Sequence, residues 1–376
     1  MQISVLGSTG SIGVQTLEVI ENLNRNGYNI KIKALSANKN ISLLQKQIEK
    51  FNPECVCVCD VSKANELKNI LPGIQILSGN EGLICIARQK VNIIVNAIVG
   101  FDGMLPTFEA ICAKNDVALA NKESLVIAGQ LIMQEAKKNN VRIIPIDSEH
   151  SAILQSMQEY TTDDIEKIYL TASGGPFHKI KNLANVTLEQ ALKHPTWSMG
   201  QKISIDSATM INKGFEIFEA CCFFDLPQEK VNVLVHAQSL IHSMVQFKDG
   251  CIIAQLGPSD MRLPIQYALT YPKRVKNDFK RLDFNLCNLF EFDKPNESLL
   301  GIELCRQAIN IGGTMPAALC IANDIAVRKF LNKEFAFLDI YKFIKYVMSR
   351  HDVILNYSIE DVLELKNQIE NLNYEV

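Results

Sequence analysis

The hydrophobic positions of this chain fall into two alternating rhythms. Short apolar runs at residues 2–6, 30–35, 55–59, 93–99, 117–120 and 142–146 have the length of buried strands. Between them, residues 41–51, 63–70, 81–89, 104–114 and 125–139 have the length and period of amphipathic helices. Strands alternating with helices predict an α/β fold with a doubly wound parallel sheet. Beyond residue 150 the pattern changes. A strand at 167–172 runs into Ser173-Gly174-Gly175-Pro176-Phe177, a strong loop signal. Residues 178–200 are polar and broken. Residues 231–236 and 252–256 read as strands, with a hairpin between them turning at Asp249-Gly250. Residues 271–297, dotted with Pro and Asn, read as a linker. From residue 299 helical periodicity dominates, with Thr314 or Met315 capping a helix that has Pro316 in its first turn.

Chemistry enters first at Gly7-Ser8-Thr9-Gly10-Ser11-Ile12-Gly13, between the first strand and the first helix. Glycines there let the backbone turn tightly and approach a pyrophosphate, whose charge sits at the helix N-terminus. The GxxGxxG spacing is a variant of the dinucleotide fingerprint, and such turns also occur without a ligand. The second strand ends in Ser36-Ala37-Asn38-Lys39-Asn40, with no acid between Tyr28 and Ile48. A carboxylate there would bind the ribose 2′-hydroxyl of NAD and repel a 2′-phosphate. Its absence favours NADP, although a plain Asn-rich turn would look the same.

The stretch Arg142-Ile-Ile-Pro-Ile-Asp147-Ser148-Glu149-His150 carries the second signal. If the extended conformation persists past Ile146, Asp147 and Glu149 share a face. Like charges so close call for a cation or a proton between them. A divalent-metal site and a solvated strand-end turn both fit this stretch. Asn121-Lys122-Glu123 ends another strand, where Asn121 could cap the next helix and the charges could meet ligand. If the chain is helical from Met210, Asn212 and Lys213 lie on one face with Glu216. That pattern is either a surface Lys–Glu pair or a third metal carboxylate with phosphate-binding neighbours. The only Trp, Trp197, stands in His194-Pro195-Thr196-Trp197-Ser198-Met199-Gly200, which suits either a core residue or a flap that closes on ligand.

Composition narrows the alternatives. The chain is 47% hydrophobic and 21% charged with net charge −3, which argues against nucleic-acid or membrane binding. Eleven cysteines without a CxxC, three of them alternating at 55, 57 and 59, read as reduced thiols in a cytoplasmic protein. Nothing resembling a leader precedes the first strand, and no apolar run reaches the ~18 residues of a membrane span. Three carboxylates with no Cys or His at metal spacing favour Mg2+ or Mn2+ over Zn2+.

Taken together, residues 7–13, 121–123, 147–150, 173–177, 194–200 and 206–216 resemble the 1-deoxy-D-xylulose 5-phosphate reductoisomerase family, six motifs in order along the chain. The resemblance implies an N-terminal Rossmann-like NADPH-binding domain (1–146) and a catalytic α/β domain (147–270) with a flap near 173–200. A linker (271–297) and a C-terminal helical bundle (298–376) follow. It implies a homodimer that isomerises and reduces 1-deoxy-D-xylulose 5-phosphate to 2-C-methyl-D-erythritol 4-phosphate in the non-mevalonate isoprenoid pathway, using NADPH and Mn2+, Mg2+ or Co2+.

Carried onto this sequence, the metal ligands are Asp147, Glu149 and Glu216, with Lys122 beside them in the catalytic group. Substrate contacts fall on Lys122, Ser148, Glu149, Ser173, His194, Trp197, Ser207, Asn212, Lys213 and Glu216. Cofactor contacts fall on Thr9, Gly10, Ser11, Ile12, Asn38, Lys39, Asn40, Asn121, Glu123, Gly200 and Met261. Two departures stand out: Asn38 replaces the family's Gly before Lys-Asn, and Ser259 separates Pro258 from Asp260. The competing readings are a plain NADP-dependent dehydrogenase, which needs no metal, and a non-catalytic NADP-sensing module.

Overall fold

The computed structural model describes the chain apart from Ser198, Cys287, Asn288, Asn373, Glu375 and Val376. Seven strands form one parallel sheet: β1 (Gln2–Leu6), β2 (Lys31–Ala37), β3 (Cys55–Val58), β4 (Gln75–Ser78), β5 (Ile93–Asn96), β6 (Asp116–Leu119) and β7 (Ile143–Pro145). Their order is β4-β3-β2-β1-β5-β6-β7. Winding proceeds outward from β1 in both directions, so β1 and β5 flank the switch point where open α/β sheets bind ligands at strand carboxyl ends. The central strands are buried throughout, as in β3 and β5, which is why they read as continuous apolar runs.

The helix Ile41–Phe51 has the expected bounds, started by Asn40, whose side chain accepts from Leu43 N at 3.1 Å. Strand β4 was not expected. Only Ile76 and Leu77 are apolar in it, and it lies at the sheet edge where one buried residue suffices. The helix after β6 spans Glu123–Asn139 with Lys122, not Asn121, in the cap position. Asn121 nonetheless makes a cap-like bond, accepting from Ser124 N at 3.0 Å.

A second sheet has the order β11-β10-β8-β9, with β8 (Ile165–Ala172), β9 (Val231–Val235), β10 (Ile241–Phe247) and β11 (Ile252–Leu256). The hairpin expected between 231–236 and 252–256 is present, but its first arm is β10, a strand that was not expected. β9 pairs parallel with β8, and the hairpin joins β10 to β11. Its turn falls where expected: Gly250 N donates to Phe247 O at 2.9 Å and Gly250 has φ +88°, which glycine adopts without strain. The helix Ile211–Phe224 lays Ile217, Ala220 and Phe224 against Ile165, Ile168, Leu170 and Val245. Each such buried aliphatic contributes about 1.5–3 kcal/mol relative to exposure. Four helices follow: Gly301–Ile311, Met315–Leu331, Phe337–Arg350 and Ile359–Glu370. Thr314 stands at the N-cap position of the second of them, without a side-chain cap bond, and Pro316 lies in its first turn, as expected.

The chain divides into two compact units. One contains Met1–Ser124, Ile132–Ser151 and Asp260–Lys280; the other contains Leu125–Leu131, Ala152–Ser259 and Arg281–Val376. The first unit gains residues 260–280 because the helix Arg262–Thr270 packs on the helix Ser11–Arg25, with Arg262 Nη1 3.5 Å from Glu18 Oε2. The C-terminal helices cluster with the second sheet. Among the described residues no helix is long and apolar enough to cross a membrane.

Candidate active site

In the first unit, β1 turns through Gly7 (φ +80°) into the helix Ser11–Arg25. A side chain at Gly13 would bring its Cβ 2.2 Å from Gly7 O, so only glycine allows helix and turn to approach this closely. Gly10 is the N-cap and supplies no side-chain cap. An anion is the natural partner for such a helix start. Gly10 and Ser11 are exposed there, with Thr9 and Ile12 half-buried beside them. Asn38, Lys39 and Asn40 are also exposed, at the end of β2. Asn40 spends its side chain on the helix cap, and Lys39 Nζ lies 3.9 Å from Asp60 Oδ2. Two residues that the sequence reading missed hold the turn from beneath. Ser36 Oγ accepts from Gly7 N at 2.9 Å, and Gln47 exchanges two hydrogen bonds with Ser8. The available signal was Gln47 itself, a polar residue among Ile41, Leu44 and Ile48 on the buried face of its helix.

Asn121 is buried at the end of β6. Its Nδ2 donates to Ile98 O at 2.7 Å, to Gly100 O at 2.9 Å and to Glu123 Oε2 at 3.1 Å. This clamps the loop after β5 and orients Glu123, both at the carboxyl edge of the sheet. Met261 is half-buried and stands at the N-cap of the helix Arg262–Thr270. Asp260, beside it, receives a fork of bonds from Arg262, 2.9 Å from Nε and 2.7 Å from Nη2.

The acidic stretch differs from its expected conformation. The chain is not extended past Ile146; a helix starts at Ser148. Ser151 N bonds Asp147 O at 2.9 Å, and Glu149 N donates to Asp147 Oδ1 at 3.2 Å. Asp147 thus behaves as a helix-capping acid, because its carboxylate satisfies a first-turn amide. The two carboxylates still approach, with an oxygen of each within 4.8 Å of the other. Ser148 Oγ donates to Glu149 Oε2 at 2.5 Å. Lys122 Nζ lies 2.5 Å from Asp147 Oδ2, and His150 Nδ1 lies 3.6 Å from Asp147 Oδ1. Burial pushes the Asp147 carboxyl up, but the Lys122 ammonium and the His150 contact hold it well below the ordinary carboxylate range.

In the second unit, Ser173 follows β8. Its Oγ lies 2.9 Å from His194 Nε2 and accepts from Gly175 N at 3.3 Å. Gly174 and Gly175 both have positive φ, and a Cβ on Gly175 would sit 2.9 Å from Ser207 O. The glycine pair therefore lets the Ser173 loop close onto the Ser207 backbone. His194 Nδ1 accepts from Trp197 N at 2.9 Å and Thr196 N at 3.2 Å. Burial lowers its pKa to about 4. A nitrogen that accepts two amides carries no proton, so His194 is neutral with the proton on Nε2, directed at Ser173 Oγ. Trp197 is half-buried, with its ring 6.2 Å from the His242 ring. Gly200 is exposed and caps the helix Gln201–Ala208, whereas Ser198 of the same motif lies outside the described residues.

The helix Ile211–Phe224 bears out the expected face. Asn212 Nδ2 donates to Glu216 Oε1 at 2.6 Å, and Lys213 Nζ meets both Glu216 Oε2 and Thr171 O, the latter at 2.6 Å. Glu216 is 1% exposed, so this is no surface ion pair. Each of the two acid centres is a deeply set carboxylate held by a lysine.

A doubly wound parallel sheet with an uncapped glycine turn at its switch point is the arrangement of a dinucleotide-binding domain. Three models of the 1-deoxy-D-xylulose 5-phosphate reductoisomerase family match residues 3–129, 143–224 (C-terminal domain) and 256–372 (C-terminal domain). The reductoisomerase of Ruminiclostridium cellulolyticum is 50% identical over 369 residues, 96% of each chain. That of Acetivibrio thermocellus is 51% identical over 370 residues, 97% of this chain and 96% of the other. Among solved structures, the Zymomonas mobilis reductoisomerase in complex with NADPH has a TM-score of 0.90 at 40% identity, covering 98% of this chain and 96% of that one. A reductoisomerase in complex with NADPH, fosmidomycin and magnesium has a TM-score of 0.91 at 37% identity over the same shares. The chain belongs to the 1-deoxy-D-xylulose 5-phosphate reductoisomerase family.

Proposed function

We propose that this chain converts 1-deoxy-D-xylulose 5-phosphate to 2-C-methyl-D-erythritol 4-phosphate with NADPH as reductant, a step of isoprenoid-precursor synthesis, and that Asp147, Glu149 and Glu216 hold one divalent cation for it. The observation that carries the reading is the end-to-end family match. The donor set fits Mg2+ or Mn2+, with Co2+ a further candidate, because all three donors are hard carboxylate oxygens. When bound, the cation stabilises negative charge on substrate oxygens, and the reduced nicotinamide supplies hydride.

The chain's own groups do the rest. Lys122 keeps Asp147 ionised and directs its carboxylate. Ser148 orients the Glu149 carboxylate through a hydrogen bond. Ser173, Ser207, Asn212 and Lys213 receive the substrate phosphate, whose binding energy orients the reacting carbons. His194 fixes the Ser173 hydroxyl, and Trp197 with its flap excludes water. Thr9, Gly10, Ser11 and Ile12 take the pyrophosphate, and Asn38, Lys39 and Asn40 the 2′-phosphate. Asn121, Glu123, Gly200 and Met261 complete the cofactor contacts. The division into NADPH-binding, catalytic and helical domains, a homodimeric assembly and a cytoplasmic location belong to the same proposal.

The test is NADPH oxidation by purified protein with 1-deoxy-D-xylulose 5-phosphate, with Mn2+ or with chelator. Consumption that requires the metal is the expected result. Consumption that persists in chelator would indicate a plain dehydrogenase. NADPH binding without consumption would indicate a sensing module.

A further inference from the structure

The glycine turn rests on a side chain outside its own motif. Ser8 Oγ donates to Gln47 Oε1 at 2.7 Å, and Gln47 Nε2 donates back to Ser8 O at 2.8 Å. Ser8 N also donates to Ser36 O at 2.7 Å, and Gly7 N to Ser36 Oγ at 2.9 Å. Ser8 is fully buried and Gln47 is 6% exposed, so water cannot replace these bonds. Gln47 projects from the helix Ile41–Phe51, which begins at Asn40. One rigid helix thus carries the 2′-phosphate segment at its start and a two-bond clamp on the pyrophosphate turn two helical turns later.

We infer that Gln47 is a positioning residue that fixes the pyrophosphate turn relative to the 2′-phosphate segment, and so sets the preference for NADPH over NADH. A cofactor that touches both subsites benefits from their fixed separation. One lacking the 2′-phosphate touches only the turn. Loosening the clamp makes the binding-competent turn a fraction of the population, and the apparent Kd rises by the inverse of that fraction. NADPH loses the fixed spacing in addition. The inference rests on the cofactor reading proposed above.

The test compares wild type with Gln47→Met, which keeps the volume and removes both hydrogen bonds. Kd for NADPH and for NADH is read from nucleotide fluorescence, with the melting temperature measured in parallel. The expected result is a rise of about tenfold in Kd for NADPH, a smaller rise for NADH, and kcat at saturating NADPH little changed. A Gln47→Met protein that binds NADPH as wild type does, or loses both nucleotides in equal proportion, overturns the inference while leaving the cofactor reading intact. Wild type that binds no NADPH overturns both.

Discussion

Lys122 Nζ and Asp147 Oδ2 are 2.5 Å apart, with only 7% and 11% of their side chains exposed. The ends of two adjacent parallel strands, β6 and β7, bring them together. A buried pair of this kind is weak as a source of net stability, but removing one partner strands the other charge. Lys122→Met should therefore lower the stability of metal-free protein by about 3–5 kcal/mol. Excess Mn2+ should restore more of the loss than it adds to wild type, because the cation can take over the compensation. Denaturant melts with and without Mn2+ measure both.

Glu216 holds Asn212 and Lys213 at once. Glu216→Gln keeps the volume but removes the charge and turns one of the two accepting oxygens into a donor. Turnover should fall by about 10³-fold or more, the scale of losing a main electrostatic contact to the reacting centre. NADPH affinity should stay within about twofold, since the proposed nucleotide contacts lie on other elements. Steady-state kinetics beside nucleotide titration separate the two.

The neutral His194 gives a pH prediction with a definite sign. Burial lowers its pKa from the ordinary 6.5 to about 4. The unfolded chain therefore binds a proton that the folded chain refuses between those values. The stabilisation due to this group is complete above pH 6.5 and declines as pH falls toward about 4. An NMR titration of the His194 ring in folded protein should show a midpoint near 4; a midpoint near 6.5 would contradict the two amide donors on Nδ1.

Gly13→Ala would place a methyl group 2.2 Å from Gly7 O, so the turn must move. The strain should cost about 1–3 kcal/mol in stability and weaken NADPH binding more than substrate-phosphate binding. Separate melts and ligand titrations read the two effects.

How much of this was legible beforehand depended on whether the deciding contact was local. The helix Ile41–Phe51 is legible to the residue because its length and apolar period are local. The glycine turn and the Asn212–Lys213–Glu216 face followed from spacing alone. The conformation at Asp147 did not, because an acid after a strand can continue it or cap a helix, and the Glu149 amide decides. Residues 262–270 were assigned to the catalytic part of the chain, yet that helix packs on the helix Ser11–Arg25, far away in sequence. The partners of β8 carry no local signal for a similar reason: β9 pairs with it in parallel and β10 antiparallel, both across long connections, while only the β10–β11 turn is local. Gln47 announced itself only as a polar residue on an apolar helix face; its partner Ser8 becomes visible once the sheet is assembled.

Asp147, Glu149 and Glu216 are proposed to share one doubly charged ion. Calorimetric titration of Mn2+ into metal-free wild type, Asp147→Asn, Glu149→Gln and Glu216→Gln tests it most directly. A single site is expected in wild type and at least about tenfold weaker binding in each variant, since even losing an outer-shell partner of a ligand costs about that much. Undiminished Mn2+ affinity in Glu216→Gln would contradict it.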